Sequence, residues 1–505
     1  MPDTPPSDTP MPDTPPFDTP MPDTPTANQQ QPFAATPPPS EIDEDRVDDA
    51  QVDQTGVATA DPDPADLSMY DRLARERPLR LLAVGYAGYM LLTFVLLALP
   101  FSHGTVPDDA TALDHLFMAV SAVSTTGLIT LDTPNAYNLV GQVVLVLAFQ
   151  AGGLGYMTLG SFMALTTRRQ LSPGRASIAA VAFTLPEGFE VRTFLKHVVV
   201  FAAAVETLGV IGFYFAFRDA GVESPLWPAI FHSVSGFCTA GFSLFSDSLE
   251  GFRGHFWVNA VASFVSLAGA IGFLVASDLY LTLIGRRPRM TLTSKIVLRL
   301  TAIAIAAGWI LLLLTDPGLR ELPPVERIQT AGFQAMTALT TVGFNTYPFG
   351  ELSSAALLVT VVMMVLGASP SGTGGGLKTT SLSAALAVTA SVLRGDGRVC
   401  YRGTEVPAHR VHQAFAAIVF YLLFALVGST LLLLTETGPP LPIIFEAASA
   451  LGTVGISTGV TGTLTTLGKW VIIGLMFAGR LGPLTVGLAL LAAHGPHPDR
   501  DDLAI

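Results

Sequence analysis

The chain has 505 residues, half of them apolar and only 13% charged, which excludes an ordinary soluble protein of this size. The formal charge of −13 lies almost entirely in residues 1–70, which hold 15 acidic residues and one arginine, so the remaining residues are close to neutral. Two cysteines, Cys238 and Cys400, argue against a disulfide framework.

The first 68 residues form an acidic tail rich in Pro, Asp and Thr, which opens on a ten-residue repeat (MPDTPPSDTP, MPDTPPFDTP). Frequent proline and the lack of apolar periodicity predict that residues 1–68 are disordered. The tail is either an inert extension or a regulatory arm. Its acidic start also lacks the basic and then apolar pattern of a secretory signal peptide.

Eight apolar runs follow, each long enough to cross a bilayer, and they predict an all-α polytopic membrane protein. The runs are 81–100, 138–165, 198–217, 256–284, 294–315, 354–393, 411–434 and 468–493. Arg and Lys cluster before the first run and after the second, fourth and sixth runs. By the positive-inside rule, both termini are expected on the cytoplasmic side of the plasma membrane.

A shorter apolar segment lies between the two runs of each pair and ends in a tetrapeptide of the form Thr-x-Gly-apolar. Each segment carries Phe, then Ser or Thr four residues later, then Thr after four more, and Gly after two more. The tetrapeptides are Thr125-Thr126-Gly127-Leu128, Thr239-Ala240-Gly241-Phe242, Thr341-Val342-Gly343-Phe344 and Thr453-Val454-Gly455-Ile456. Successive copies are about 100 to 115 residues apart, which indicates a tandem fourfold repeat.

The repeat predicts four helix–pore loop–helix units in a pseudo-fourfold arrangement around one pore. The expected boundaries are 69–175, 176–289, 290–402 and 403–505. A segment that enters and leaves on one side needs irregular backbone at membrane depth, which is tolerated only in protein or beside water. Gly permits the positive φ of such a turn, and four converging strands would present a ring of carbonyl oxygens that replaces the hydration shell of a monovalent cation.

The tetrapeptides contain no carboxylate, which argues against a filter for divalent cations. The competing interpretation is that the glycines only allow close helix packing, but packing requires neither the threonines nor the recurring position. Directly after the Phe stand Met118, His232, Gln334 and Glu446. We expect the polar residues among them to hold the filter strands, although Glu446 could instead attract cations.

The sixth run is too long for one helix and is interrupted by LGASPSGTGGGLKTTS. Pro and clustered Gly predict two half-helices joined by an intramembrane loop at 369–380, which would obstruct permeation below the filter. The candidate gate residues are Gly372, Thr373, Gly374, Gly375, Gly376 and Lys378. A packing kink or a solvent loop is the alternative.

Arg480 lies inside the last apolar run, where a charge is costly and is expected to face the protein interior. It is either a fixed positive charge in the pore or half of a structural ion pair, for which Glu446 is a candidate partner. The glycines in FQAGGLGYM, Gly152, Gly153 and Gly155, are expected to serve close packing or to set the pore width.

The four tetrapeptides, the GGGLK loop and the GRLGPLT stretch resemble the Trk/Ktr/HKT superfamily of potassium transporters, closest to the Ktr-type (KtrB-like) membrane subunit, over residues 70–493. The resemblance implies potassium bound at the filter, with Gly127 in the first repeat favouring potassium over sodium. It also implies a gating loop in the third unit, a pore-facing basic residue at Arg480, a homodimer with one pore per subunit, and a separate cytoplasmic nucleotide-binding ring.

The expected function is therefore potassium uptake down its electrochemical gradient, with no cofactor and no covalent chemistry. The alternative is a sodium-coupled or sodium-permeable secondary cation transporter. An alternating-access carrier would predict inverted repeats, whereas these repeats share one orientation. A membrane enzyme would need a catalytic constellation, which the apolar runs lack.

Overall fold

The structure is a computed structural model that describes residues 78–155, 191–369, 372–396, 398–401, 404–482 and 486. These residues belong to one compact unit that spans 64–505. The predicted tail at 1–68, the link at 156–190 and the end of the last apolar run lie outside the described residues.

Three kinds of helix recur in the same order four times along the described chain. A long helix comes first in each unit: α1 Pro78–Ala98, α5 Val191–Asp219, α9 Leu292–Thr315 and α14 Ala408–Thr435. A short helix follows and ends at a tetrapeptide: α2 Ala112–Val123, α6 Leu226–Phe237, α11 Pro324–Thr340 and α15 Pro440–Leu451. The second helix then begins: α4 Leu139–Leu154, α7 Phe256–Ile271, α12 Ser354–Leu366 and α16 Thr466–Leu481.

The remaining elements extend or connect these helices. The second helices of units two and three continue after a break as α8 Phe273–Leu283 and α13 Thr379–Arg394. Single helical turns are α3 Thr133–Ala136, α10 Gly318–Glu321 and the 3₁₀ turns Pro100–Ser102, Glu250–Phe252, Phe349–Glu351 and Val460–Thr463. A two-stranded antiparallel hairpin, β1 Cys400–Tyr401 and β2 Thr404–Glu405, precedes α14.

Polar side chains just before the second helices explain where these helices begin. The side chains of Asn138, His255, Ser353 and Thr465 each accept a backbone N–H in the first turn of the second helices α4, α7, α12 and α16. Thr291 does the same for the long helix α9. Such caps satisfy N–H groups that have no partner within the helix. Pro in the first turn of α11 and α15 costs no hydrogen bond.

Among the described residues, three helices are long and apolar enough to cross a bilayer: Lys196–Asp219, Leu292–Thr315 and Arg410–Thr435. The bent pair Phe256–Ile271 and Val275–Leu283 qualifies as one broken span. The apolar run 354–393 consists of two helices separated by a loop, as predicted. The sequence predicted a break only in the sixth run, but Gly272 also breaks the fourth, because its positive φ ends the α-helical path.

The core lies around the four short helices, and the long helices cover it. Phe117, Phe231 and Phe445 on the short helices are fully buried. On the long helices, Phe215 and Leu426 are more than half exposed, at 61% and 66%. An apolar outer surface of this kind suits contact with lipid. The fold is therefore that of a helical membrane protein, as the sequence predicts.

Candidate functional site

The four tetrapeptides share an unusual backbone conformation. The threonines Thr125, Thr239, Thr341 and Thr453 have φ of 52°, 51°, 59° and 47°. The glycines two residues later, Gly127, Gly241, Gly343 and Gly455, have φ of 99°, 68°, 90° and 87°. A left-handed conformation is costly for a β-branched residue and persists where the surroundings impose it, often at functional sites.

The four tetrapeptide glycines meet in a closed ring. A Cβ atom at Gly127 would lie 2.5 Å from the carbonyl oxygen of Ala240, and one at Gly241 would lie 2.6 Å from that of Val342. At Gly343 and Gly455 a Cβ would overlap the carbonyl oxygens of Val454 and Thr126. Each glycine thus faces the carbonyl before the next glycine, in the order of the units, and the fourth faces the first.

This closeness explains why glycine is needed at these four positions. Any side chain there would push the neighbouring strand away, and positive φ would add strain. The ring brings four carbonyl-bearing strands together at one place, which is the arrangement that dehydration of an alkali cation requires. The sequence predicts this convergence from the fourfold repeat of Thr and Gly and from the recurring place of the segments between two apolar runs.

Three further polar contacts also join neighbouring units. Ser246 Oγ donates to Asp132 at 2.8 Å between units two and one, and Leu249 N donates to Asn345 O at 3.0 Å between units two and three. Lys469 Nζ lies 2.6 Å from Asp114 Oδ1 and joins unit four to unit one. These contacts hold the same order around the centre as the glycines do.

Each tetrapeptide is tied to the end of its own short helix. The residue before each glycine donates its N–H to the carbonyl of the Ser or Thr five residues earlier, at 2.8–3.3 Å. Ser121 and Ser449 also accept the N–H of Gly127 and Gly455 with their hydroxyls, each at 3.1 Å. Backbone groups that would otherwise be buried without partners are thereby satisfied.

The polar residues that follow the Phe of each short helix hold the chain after the glycine. His232 Nε2 lies 2.9 Å from Ser243 Oγ, and Gln334 Nε2 donates to Tyr347 O at 2.8 Å. The Glu446 carboxylate accepts four hydrogen bonds from Ser457, Thr458 and Thr461. The Ser457 hydroxyl and the Thr458 backbone N–H each donate at 2.8 Å. All three side chains are fully buried and bond the chain that follows the tetrapeptide glycine, which is the contact that the predicted supporting role requires.

The loop between α12 and α13, residues 367–378, lies against the C-terminal end of the short helix α6 and against the first residues of the third and fourth tetrapeptides. Thr373 Oγ1 donates to the carbonyl of Phe237 at 2.9 Å, and Gly375 N donates to Thr341 Oγ1 at 2.9 Å. A Cβ at Gly375 would collide with the Gly452 carbonyl and the Thr453 hydroxyl. The described part of the predicted gate loop is therefore in direct contact with units two, three and four. Residues 370 and 371 lie outside the described residues.

Two cationic side chains bind the carbonyl oxygens of this loop. Lys378 Nζ donates to Gly374 O at 2.6 Å, and Arg480 Nη1 donates to Thr373 O. Arg480 Nη2 also reaches Gly152 O at 2.6 Å and Gly153 O at 3.2 Å on α4. The glycines at 152 and 153 were expected to serve packing, and here they also present carbonyls to Arg480.

An ion pair between Arg480 and Glu446, one of the two sequence interpretations, does not form. Glu446 bonds the strand that follows Gly455, whereas Arg480 bonds the loop, α4 and Tyr86.

Tyr86 was not predicted as a site residue. Its hydroxyl donates at 3.1 Å to the carbonyl of Val123 at the end of the first short helix. Tyr86 is one of two tyrosines in the first apolar run, and nothing in the sequence indicates its contact.

The second helices carry a further repeat that was not predicted from the sequence. All four end on a glycine with positive φ, at Gly155, Gly272, Gly367 and Gly482. The signal was present, because the chain reads GGLG, GAIG, MVLG and GRLG at these ends. Glycines three residues earlier, Gly152, Gly269 and Gly479, bring the second helix against a carbonyl of the short helix in three units.

Residues 91–495 match the TrkH family, described as a cation transport protein. The potassium/sodium uptake protein NtpJ of Enterococcus hirae is 33% identical over 425 residues, which cover 83% of this chain and 93% of that relative. The Ktr system potassium uptake protein B of Bacillus subtilis is 33% identical over 418 residues, covering 81% of this chain and 92% of that protein.

The fold is similar to the crystal structure of the potassium transporter TrkH from Vibrio parahaemolyticus. The TM-score is 0.63 at 19% sequence identity, over 81% of this chain and 85% of that one. The family match at 91–495 includes all four tetrapeptides, the α12–α13 loop and Arg480.

Proposed function

The chain belongs to the TrkH family of cation transport proteins, and we propose that it takes up potassium across the plasma membrane through a filter formed by its four tetrapeptides. The predicted resemblance to the Trk/Ktr/HKT superfamily is confirmed by the family match and by the 33% identical relatives. Permeation would be passive, driven by a membrane potential worth about 2.3 kcal/mol per charge per 100 mV.

The observation that carries the proposal is the closed ring of tetrapeptide glycines. Four strands approach so closely that each glycine touches a backbone carbonyl of the next unit. Carbonyl oxygens at a common centre can replace the water molecules that surround a potassium ion. The filter would comprise 125–128, 239–242, 341–344 and 453–456, in pseudo-fourfold symmetry around one pore.

Sodium is the second candidate ion, because one of the similar proteins is named a potassium/sodium uptake protein. Another is named for potassium alone. The glycine at all four filter positions favours potassium in our proposal, with sodium as a co-ion or a minor substrate. The four units repeat the same order of helices without inversion, which supports a pore over an alternating-access carrier.

The α12–α13 loop is proposed as the gate, because it contacts the start of the third and fourth filter strands and the end of the short helix that leads to the second. Arg480 and Lys378 hold its carbonyls and would add a positive barrier in the same passage. A cytoplasmic nucleotide-binding ring is proposed to move this loop, and the chain is proposed to form a homodimer with cytoplasmic termini.

The filter assignment is tested by potassium, rubidium and sodium flux into proteoliposomes. Gly127→Ser and Gly241→Ser place a Cβ within 2.6 Å of a neighbouring filter carbonyl, so both should lower the ratio of potassium to sodium flux. Gly88→Ser is the matched control, since nothing lies within 4 Å of a Cβ at Gly88. An unchanged ratio in both filter variants would contradict the assignment.

The gate assignment is tested separately by deletion of residues 372–376. Removal of the loop from the filter should raise the basal potassium flux measured without any partner protein. If the basal flux stays at the level of the intact chain, the loop does not obstruct the pore.

A further inference from the structure

The four filter threonines share one backbone conformation but have different hydroxyl partners. All four are buried, with φ between 47° and 59°. Thr239 Oγ1 donates to the carbonyl of Cys238 at 2.7 Å. Among the described residues, the hydroxyls of Thr125 and Thr453 have no hydrogen-bond partner. Thr341 differs from all three, because its hydroxyl oxygen accepts the N–H of Gly375 at 2.9 Å.

The contact at Thr341 also depends on the neighbouring loop residue, Gly374. A Cβ at Gly374 would lie 2.8 Å from Thr341 Oγ1 and 2.8 Å from the carbonyl of Thr340. The loop therefore fits against this threonine only because Gly374 has no side chain. The other loop bonds described above engage backbone carbonyls, at Phe237, or cationic side chains, at Lys378 and Arg480.

Thr453 provides the comparison within the same chain. A Cβ at Gly375 would collide with Thr453 Oγ1, so the loop approaches the fourth unit as closely as it does the third. The Thr453 hydroxyl nevertheless forms no hydrogen bond with the loop. Proximity alone does not create the bond, and the direction of the Gly375 N–H selects Thr341.

We propose that Thr341 is a positioning residue that holds the α12–α13 loop closed, in addition to its place in the filter. The inference rests on the proposed function, in that the loop is taken as the gate. Loss of the acceptor would leave the Gly375 N–H buried without a partner, which disfavours the closed position. Opening of the loop would release the Thr341 hydroxyl, so that it becomes free like those of Thr125 and Thr453.

The closed and open positions of the loop would therefore differ in the hydrogen bonding of one filter threonine, Thr341. While the loop is closed, one of the four filter hydroxyls is engaged by a protein N–H. Once the loop leaves, that oxygen can turn to an ion at the inner end of the filter. The gate and the innermost ion site would be coupled through a single hydrogen bond in the third unit.

The test compares Thr341→Val with Thr453→Val in the full-length chain. Valine keeps the β-branched shape at both positions and removes one filter hydroxyl in each case, but only Thr341→Val removes the bond to Gly375. We expect hydrogen exchange of the peptide containing Gly374 and Gly375 to be about five- to tenfold faster in Thr341→Val. Basal rubidium flux in proteoliposomes should be higher in Thr341→Val than in Thr453→Val by a similar factor.

Thr341→Ser keeps the hydroxyl and should restore slow exchange relative to Thr341→Val, which a purely steric role would not produce. Should Thr341→Val fail to fold, Thr341→Ala against Thr453→Ala gives the same comparison. Equal loop exchange in the two valine variants would overturn the inference. Because exchange is read without ions moving, it remains informative even if the flux experiments contradict the proposed filter.

Discussion

The guanidinium of Arg480 donates to Gly152 O at 2.6 Å and also to the carbonyl of Thr373. This one side chain therefore connects α16 with α4 and with the α12–α13 loop. Its Nε also lies 3.3 Å from the hydroxyl of Tyr86. A planar group with several fixed donors can satisfy carbonyls in three directions, which a lysine ammonium cannot do in the same geometry.

Replacement of Arg480 by Gln should raise basal potassium flux, because it removes both the positive charge and the bond to the loop. Arg480→Lys separates the two effects, since it keeps the charge without the three-way hydrogen bonding. If the charge alone limits flux, the lysine variant should match the intact chain. If the hydrogen bonds limit it, lysine and glutamine variants should both show higher flux. No change in either would exclude Arg480 from the permeation path.

Gly455→Ala should destabilise the chain. The Cβ would overlap Thr126 O in the first unit, and φ is +87°, so the cost is expected to be at least about 1–3 kcal/mol. Gly474→Ala on α16 is the control, because nothing lies within 4 Å of its Cβ. Thermal unfolding in detergent should show a lower Tm for Gly455→Ala and a Tm for Gly474→Ala within error of the intact chain or slightly above it. Equal Tm values would mean that the ring is not packed as described.

Lys469→Met should lower the free energy of unfolding by about 2–4 kcal/mol, because it leaves Asp114 buried and unpaired. Asp114→Asn in the same chain should recover part of the loss, since the uncompensated charge is then absent. A double-mutant cycle measured by denaturant or thermal unfolding gives the coupling between the two residues. A coupling near zero would show that this contact does not hold the first and fourth units together.

Glu446→Ala should cost about 3–5 kcal/mol of stability, since four donors of the strand after Gly455 lose their acceptor. Glu446→Gln keeps the shape and one acceptor oxygen, so its loss should be smaller. If Glu446 instead attracts cations, both variants should reduce potassium affinity while the unfolding temperature stays the same. Flux titrations beside thermal unfolding distinguish these results.

The periodic features of this chain were predictable from sequence because they recur. Four equally placed Thr-x-Gly segments predicted four short helices and their glycine turns, since only a shared structural task explains such a repeat. The break in the third unit was visible because Pro370 and the glycine run at 372–376 cannot continue a helix. The break at Gly272 was not expected, because one glycine in an apolar run is often tolerated within a helix.

Contacts between residues far apart in the chain could not be predicted from the sequence. Asp114 and Lys469 are 355 positions apart, and nothing in either neighbourhood identifies the other as its partner. Arg480 was correctly expected to face the interior, but its partners are backbone carbonyls, which every residue carries. An arginine that bonds mainly backbone carbonyls and one tyrosine hydroxyl has no acidic partner to identify it in the sequence, and Glu446 was therefore a reasonable but incorrect candidate.

The placement of all four units in one polypeptide has a consequence for how they can change. In an assembly of four identical subunits, one codon alters every quarter at once, so no quarter can specialise. Here a substitution alters one quarter and leaves three as they were. The single threonine bonded to the loop, the carboxylate in only one of four equivalent positions and the arginine in only one of four helix ends are differences that this architecture permits.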